Sequence, residues 1–222
     1  MSLSVVITGA NRGIGLELAR QYQADGAQVT ALVRNSSAEL DTLGIRVIGG
    51  IDVGRDDCDA PLREAMQTLP PIDVLINNAG VLSNESLDDP AFDRMRWQLE
   101  VNTLGPLRVT TALRPRLSAG SKIVLITSRM GSMSDNSSGG MYGYRCSKAA
   151  LNAIGVSLAQ DLRGDGIAVG LLHPGFVQTD MTGRQGQITA SAAAAGLRAR
   201  IEELSIDNTG RFRHANGETL PW

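Results

Sequence analysis

Six short runs of near-continuous apolar residues limit what this chain can fold into: 3–8 (LSVVIT), 28–33 (QVTALV), 45–50 (IRVIGG), 73–77 (DVLIN), 122–127 (KIVLIT) and 167–173 (IAVGLLH). A strand with one face in water alternates apolar and polar residues, and these do not, so both of their faces must be covered. Longer stretches with helical character separate them: 13–26, 59–69, 89–117 and 144–166. Asp89 before Pro90 marks a helix start, and Gly26 and Gly164 suit helix ends. Repeated strand-helix alternation gives a parallel sheet with right-handed crossovers. The expected architecture is a single α/β domain over residues 1–222: a Rossmann-type, doubly wound parallel sheet of six to seven strands with helices on both faces. Residues 180–206 read as a loop and one more helix, a segment placed to cover a substrate, and 210–222 as a tail with a last short strand.

Charge and composition remove whole classes of function. With 20 % charged residues and a formal net charge of −2, nothing points to a nucleic-acid partner or a membrane surface. No apolar run approaches the eighteen or so residues that span a bilayer, and the first residues lead directly into a strand pattern without a leader. Cys58 and Cys146 stand in unlike contexts, which fits a reducing, cytoplasmic setting. His173 and His214 are the only histidines and neither adjoins a cysteine or carboxylate cluster, so no metal site is expected.

The first strand runs into TGANRGIG (8–15) and then a helix. Gly9, Gly13 and Gly15 permit a tight turn and close approach of a ligand to the backbone. The amides of Arg12, Gly13 and Ile14 would then lie at a helix N-terminus, where donors and dipole favour a pyrophosphate. The spacing G-x-x-x-G-x-G differs from the general dinucleotide fingerprint. At the end of the second strand stands Val33, where an acid would hold a ribose 2′-hydroxyl, followed by Arg34. Arg34 and Arg12 supply cations at the two places a 2′-phosphate would occupy, which favours NADP(H).

Two tyrosines precede a lysine in MYGYRCSKAAL (141–151). On a helix, residues four apart share a face, so Tyr144 stacks on Lys148 while Tyr142 points some 120° away. An isolated Y-x-x-x-K is usually a buried tyrosine beside a solvated lysine; what surrounds it here argues otherwise. Farther back, Pro106 has no N–H for the carbonyl of residue 102, so the helix should be interrupted near Asn102.

Taken together these motifs resemble the short-chain dehydrogenase/reductase family along nearly the whole chain. TGANRGIG resembles its coenzyme turn, including Asn11; Asp52 and Val53 its adenine-binding pair; Asn78, Ala79 and Gly80 the end of its fourth strand. SRMG (128–131) resembles the segment with its catalytic serine, and HPGFVQTDM (173–181) the segment over the nicotinamide. More narrowly, 128–152 and the final PW are similar to C-factor-like proteins and sniffer-type carbonyl reductases.

The resemblance implies hydride transfer between nicotinamide and a carbonyl or alcohol substrate. Ser128 would hold the carbonyl oxygen, Tyr144 would exchange its proton, and Lys148 would favour the phenolate and bind the nicotinamide ribose. Asn102 would hold a water in a relay to Lys148. Pro174, Gly175, Val177 and Thr179 would contact the nicotinamide end. A homo-oligomer, dimer or tetramer, is implied, paired through the helices holding Asn102 and Tyr144. The alternative is a non-catalytic NADP(H)-binding signalling protein of the C-factor type. A serine hydrolase is not supported, because no G-x-S-x-G elbow is present and no histidine is placed to serve Ser128. Met130, Met133 and Met141 either fill the core or line an apolar pocket. The sequence names no substrate.

The helix-face argument separates the two tyrosines. Tyr144→Phe should bind coenzyme almost normally and lose turnover by at least about 10²-fold, whereas Tyr142→Phe should stay active; steady-state kinetics of both variants would show it.

Overall fold

All five residues of β1 (Ser4–Thr8) are buried, as a strand covered on both faces requires. In the computed structural model, which describes residues 2–222, the chain continues through α1 (Gly13–Ala24), β2 (Gln28–Leu32), α2 (Ala38–Asp41), β3 (Arg46–Ile48), α3 (Asp59–Thr68) and β4 (Val74–Asn77). Then come α4 (Phe92–Leu99), α5 (Gly105–Leu113), β5 (Lys122–Ile126), α6 (Tyr142–Asp161) and β6 (Ala168–His173). A short excursion, β7 (Val177–Gln178) and β8 (Ile188–Thr189), precedes α7 (Ala190–Glu203) and the last strand, β9 (Phe212–His214).

Among the described residues seven strands form one sheet, in the order β3-β2-β1-β4-β5-β6-β9, all parallel. Alternate residues of each strand face opposite sides. Val5 and Ile7 pack with Leu16 and Leu18 of α1 and Ala194 and Leu197 of α7. Val6 packs on the other side with Leu62 of α3, Val109 and Leu113 of α5 and Leu151 of α6. The expected doubly wound α/β fold is thus present, with the tail supplying the seventh strand.

The long helical stretch 89–117 is not one helix. Residues Glu100–Leu104 form a π-helical turn between α4 and α5, and the Gly105 N–H bonds the Glu100 carbonyl five residues back. The break that Pro106 demanded is therefore absorbed by widening one turn. Nor does the helix start at Asp89. Ala91, with φ of 41°, leads into Phe92, while the Asp89 carboxylate pairs with Arg94 at 2.9 Å. At the end of α6 the left-handed residue is Gly166, with φ of 70°, rather than Gly164. The one-turn α2 and the β7–β8 ribbon are too short to show a period in sequence; Ser37 caps α2 by accepting from the Leu40 N–H at 3.1 Å.

Leu125 sits in β5 between Asn77 of β4 and Leu171 of β6 and is wholly buried. Leu125→Ala should lower unfolding free energy by about 2–5 kcal/mol, read as a lower urea midpoint at unchanged slope.

Candidate coenzyme cleft and active site

β2 and β3 extend the sheet to one side of β1, and β4 onward to the other, so the connections leave in opposite directions. A cleft of about 390 Å³ opens at the carboxyl ends of the strands, lined by the glycine turn, the ends of β2, β4 and β5, and residues of α6. Gly9, Asn11, Arg12, Gly13 and Ile14 form one wall. The N-cap of α1, Arg12, is extended and makes no side-chain cap, and the first turn carries no acid. The opening amides of α1 thus have no local acceptor, which suits an anion. Gly9 has φ of 66°, and a Cβ there would stand 2.9 Å from the Ala79 Cα.

Gly15 lies outside the cleft. A Cβ at this position would stand 2.4 Å from both the Asn78 Nδ2 and the Gly9 oxygen. Its role is to make room for Asn78, whose amide donates to the Thr8 and Gly9 carbonyls at 3.0 and 3.1 Å and so latches β4 to the turn. Asn78 lines the cleft with Ala79 and Gly80.

At the far end lie Val33, Arg34, Asp52 and Val53, joined by Leu32, Asn35, Ile51 and Val101, which sequence reasoning did not single out. Arg34 is half exposed and only 3.9 Å from the Asp52 carboxylate. An exposed pair at that distance is worth little and leaves the guanidinium available.

Tyr144 and Lys148 enter the cleft from α6, with the lysine nitrogen 5.8 Å from the centre of the phenol ring. Tyr142, the first residue of α6, does not line it. Lys148 is buried and donates to the Ile126 carbonyl at 2.9 Å. Burial pulls its pKa down to about 8. Burial also raises that of Tyr144, and the neighbouring Ser128 hydroxyl partly offsets this. The expectation that Lys148 would lower the phenol is therefore not met in the protein alone. Desolvation is the larger influence on the phenol, and the Ser128 hydroxyl the smaller.

Ser128, two residues past β5, is buried and hydrogen-bonded to Tyr144, and its hydroxyl accepts from the Met130 N–H at 3.1 Å. Asn102 lies in the π-helical turn, fully buried and outside the cleft. Its amide accepts from the Val81 N–H at 2.8 Å and donates to the Val81 carbonyl at 2.8 Å and the Ser147 hydroxyl at 3.0 Å. It therefore clasps the segment after β4 to α6.

Pro174 and Thr179 line the cleft, with Asp180 and Met181 beside them. Thr179 reaches over the turn, its Cγ2 3.4 Å from where a Gly13 Cβ would be. Gly175 and Val177 are not among the residues that line the cleft, and Val177 is buried in the β7–β8 ribbon, opposite Ile188. Of the lining residues that sequence did not assign to the ligand, Thr127 immediately precedes SRMG and Met181 is the last residue of HPGFVQTDM. No helix among the described residues is long and apolar enough to cross a membrane.

Residues 4–189 match the short chain dehydrogenase family. The chain is 41 % identical, over 99 % of both sequences, to the 1-hydroxy-2-glutathionyl-2-methyl-3-butene dehydrogenase of Rhodococcus sp. (strain AD45). It is 44 % identical to the C-signal of Myxococcus xanthus over 68 % of this chain and 93 % of that one. The NADPH-bound carbonyl reductase of chicken fatty liver superposes over all of both chains with a TM-score of 0.88 at 28 % identity. The chain belongs to the short chain dehydrogenase family.

His173, at the end of β6, stands edge-on to His214 with ring centres 4.9 Å apart. Burial, reinforced by His214, Arg129 and Lys148, pulls its pKa down to about 3, so it stays neutral and is too weak a base to serve the site. An unfolded chain takes up this proton near pH 6.5 and the folded one does not. Its contribution to stability is full above pH 6.5 and shrinks as pH falls toward 3, by at most about 1.4 kcal/mol per unit. Chemical denaturation of His173→Leu across that range should show a correspondingly shallower acid slope than the parent.

Proposed function

We propose that this short chain dehydrogenase is an NADP(H)-dependent oxidoreductase acting on a carbonyl or alcohol substrate, with Tyr144 as its acid and base. The observation that carries this reading is the sharing of one cleft by an uncapped glycine turn, Arg12 and Arg34 at one end, and Tyr144 with Lys148 at the other. The residues fit a dinucleotide: open amides at α1 for the pyrophosphate, two cations for a 2′-phosphate, and Lys148 for the ribose of the nicotinamide half. The carbonyl reductase of chicken fatty liver, a structural relative, holds NADPH, and the Rhodococcus relative is named as a dehydrogenase.

When bound, the coenzyme supplies or accepts the hydride. In reduction Tyr144 gives its phenolic proton to the substrate oxygen; in oxidation it takes that proton back. The Lys148 ammonium stabilises the phenolate left behind. Ser128, next to the phenol, holds the substrate oxygen as a neutral donor. Asn102 acts through position, since its clasp between Val81 and Ser147 fixes α6 against the cleft wall.

A second reading, a non-catalytic NADP(H)-binding signalling protein, draws on the likeness to C-signal. A binding-only protein has no need of Tyr144 and Lys148 at one end of the cleft with Ser128 bonded to the phenol, which favours the enzyme. Self-association as a dimer or tetramer in the cytoplasm completes the proposal; Phe92 and Trp97 of α4 and Val156 of α6 expose apolar surface that would suit it.

NADPH consumption with a panel of aldehydes, ketones and quinones tests the reading; no turnover with any of them, despite tight NADPH binding, would leave the signalling role. Arg34→Ala should weaken NADPH by roughly 1.5–3 kcal/mol and leave NADH nearly untouched. Equal weakening of both coenzymes, measured by fluorescence titration, would remove Arg34 from the 2′-phosphate site.

A further inference from the structure

The helix that carries Tyr144 and Lys148 has no cap of its own. Its N-cap residue, Met141, is left-handed with φ of 51° and offers no side-chain bond to the first turn. The cap comes from Glu85 in the loop after β4, a carboxylate only 4 % exposed. Glu85 Oε2 accepts from the Gly143 N–H at 3.1 Å, and the Glu85 main-chain oxygen accepts from the Met141 N–H at 3.0 Å. Oε1 accepts from the Gln98 amide at 2.8 Å and from the Ser83 hydroxyl. Gln98 in turn accepts from the Ser83 N–H at 3.1 Å.

Every one of these donors is neutral. A buried carboxylate without a cation is costly unless its lone pairs are filled, and a helix N-terminus is one of the few neutral environments that favour it. A serine at the N-cap would satisfy the first turn more cheaply. What Glu85 adds is reach: it binds the first turn of α6 to the loop that continues from Ala79 and Gly80, the wall of the cleft facing Tyr144. Gly143 belongs to the same device, because a Cβ there would stand 2.3 Å from Gln98 Nε2 and displace the amide that holds the carboxylate.

We propose that Glu85 is a positioning residue for the reaction: by anchoring the first turn of α6 to the cleft wall, it fixes Tyr144 at the place where the proton is exchanged. The inference rests on the reductase reading above. It predicts a defect in turnover rather than in coenzyme binding, since none of the groups Glu85 holds lies at the adenosine end.

The test compares Glu85→Ala, Glu85→Gln and Gly143→Ala for NADPH affinity, for kcat with carbonyls from the panel, and for amide exchange across residues 142–148. Glu85→Ala should lower kcat roughly 10- to 100-fold, the scale of a displaced catalytic group, while NADPH affinity changes by less than about threefold. Exchange at Gly143 should accelerate in the same variant. Glu85→Gln keeps an oxygen for the Gly143 N–H and should recover most of the lost kcat. Gly143→Ala should reproduce the pattern of Glu85→Ala, and decides the matter if that variant does not fold.

Unchanged kcat, a parallel loss of kcat and NADPH affinity, or a Gln variant no better than Ala would each overturn the proposal. If the parent protein reduces no carbonyl, the reductase reading fails by itself. The exchange measurement then still decides the anchor, and an unchanged rate at Gly143 in Glu85→Ala overturns it.

Discussion

Parallel strands cannot be joined by tight turns, so each connection must cross the sheet and cover one of its faces. Everything else in this molecule follows from that requirement. The strands become apolar throughout, because α1 and α7 lie on one face and α3, α5 and α6 on the other. The polar, ligand-ready backbone is driven to the ends of the strands. Where β1 and β4 lie side by side their connections part, and the space between becomes the cleft. The Asn78 latch then sets how tightly the glycine turn sits against that opening, which explains why Gly15 serves packing rather than the ligand.

The electrostatics of the site are set by burial. Lys148 is buried and donates to the Ile126 carbonyl, and the phenol beside it is raised rather than lowered. Both shifts come from lost water, not from each other. Arg34, held only at 3.9 Å by Asp52, is uncommitted.

Much of this was legible in the sequence. The strands at 3–8, 28–33 and 122–127 announced themselves because full burial leaves a continuous apolar signature. Tyr144 was separable from Tyr142 because helical phase is arithmetic. The interruption near Asn102 could be read from one missing N–H, although its form, a widened turn, could not. What escaped were features set by partners distant in sequence. Glu85 looks like any loop acid, and only the fold brings Gly143 to it across 58 positions. The pairing of Val177 with Ile188 escaped as well, because it lies in a ribbon too short to have a period.

The π-helical turn at Glu100–Leu104 carries a last consequence, for how the chain can change length over evolution. A π turn accommodates about one residue more than an α turn. Deleting one residue there would let an α turn close with α4 and α5 still in phase, although Pro106 would still leave one carbonyl of the ladder without an N–H. An insertion or deletion that this turn did not absorb would instead rotate α5 by about 100° relative to α4, carrying Val109 and Leu113 away from the sheet they cover. Segments that look helical are usually tolerant of substitution and loops tolerant of insertion. This one differs from both: its widened turn holds about one residue more than an α turn while keeping α4 and α5 in phase.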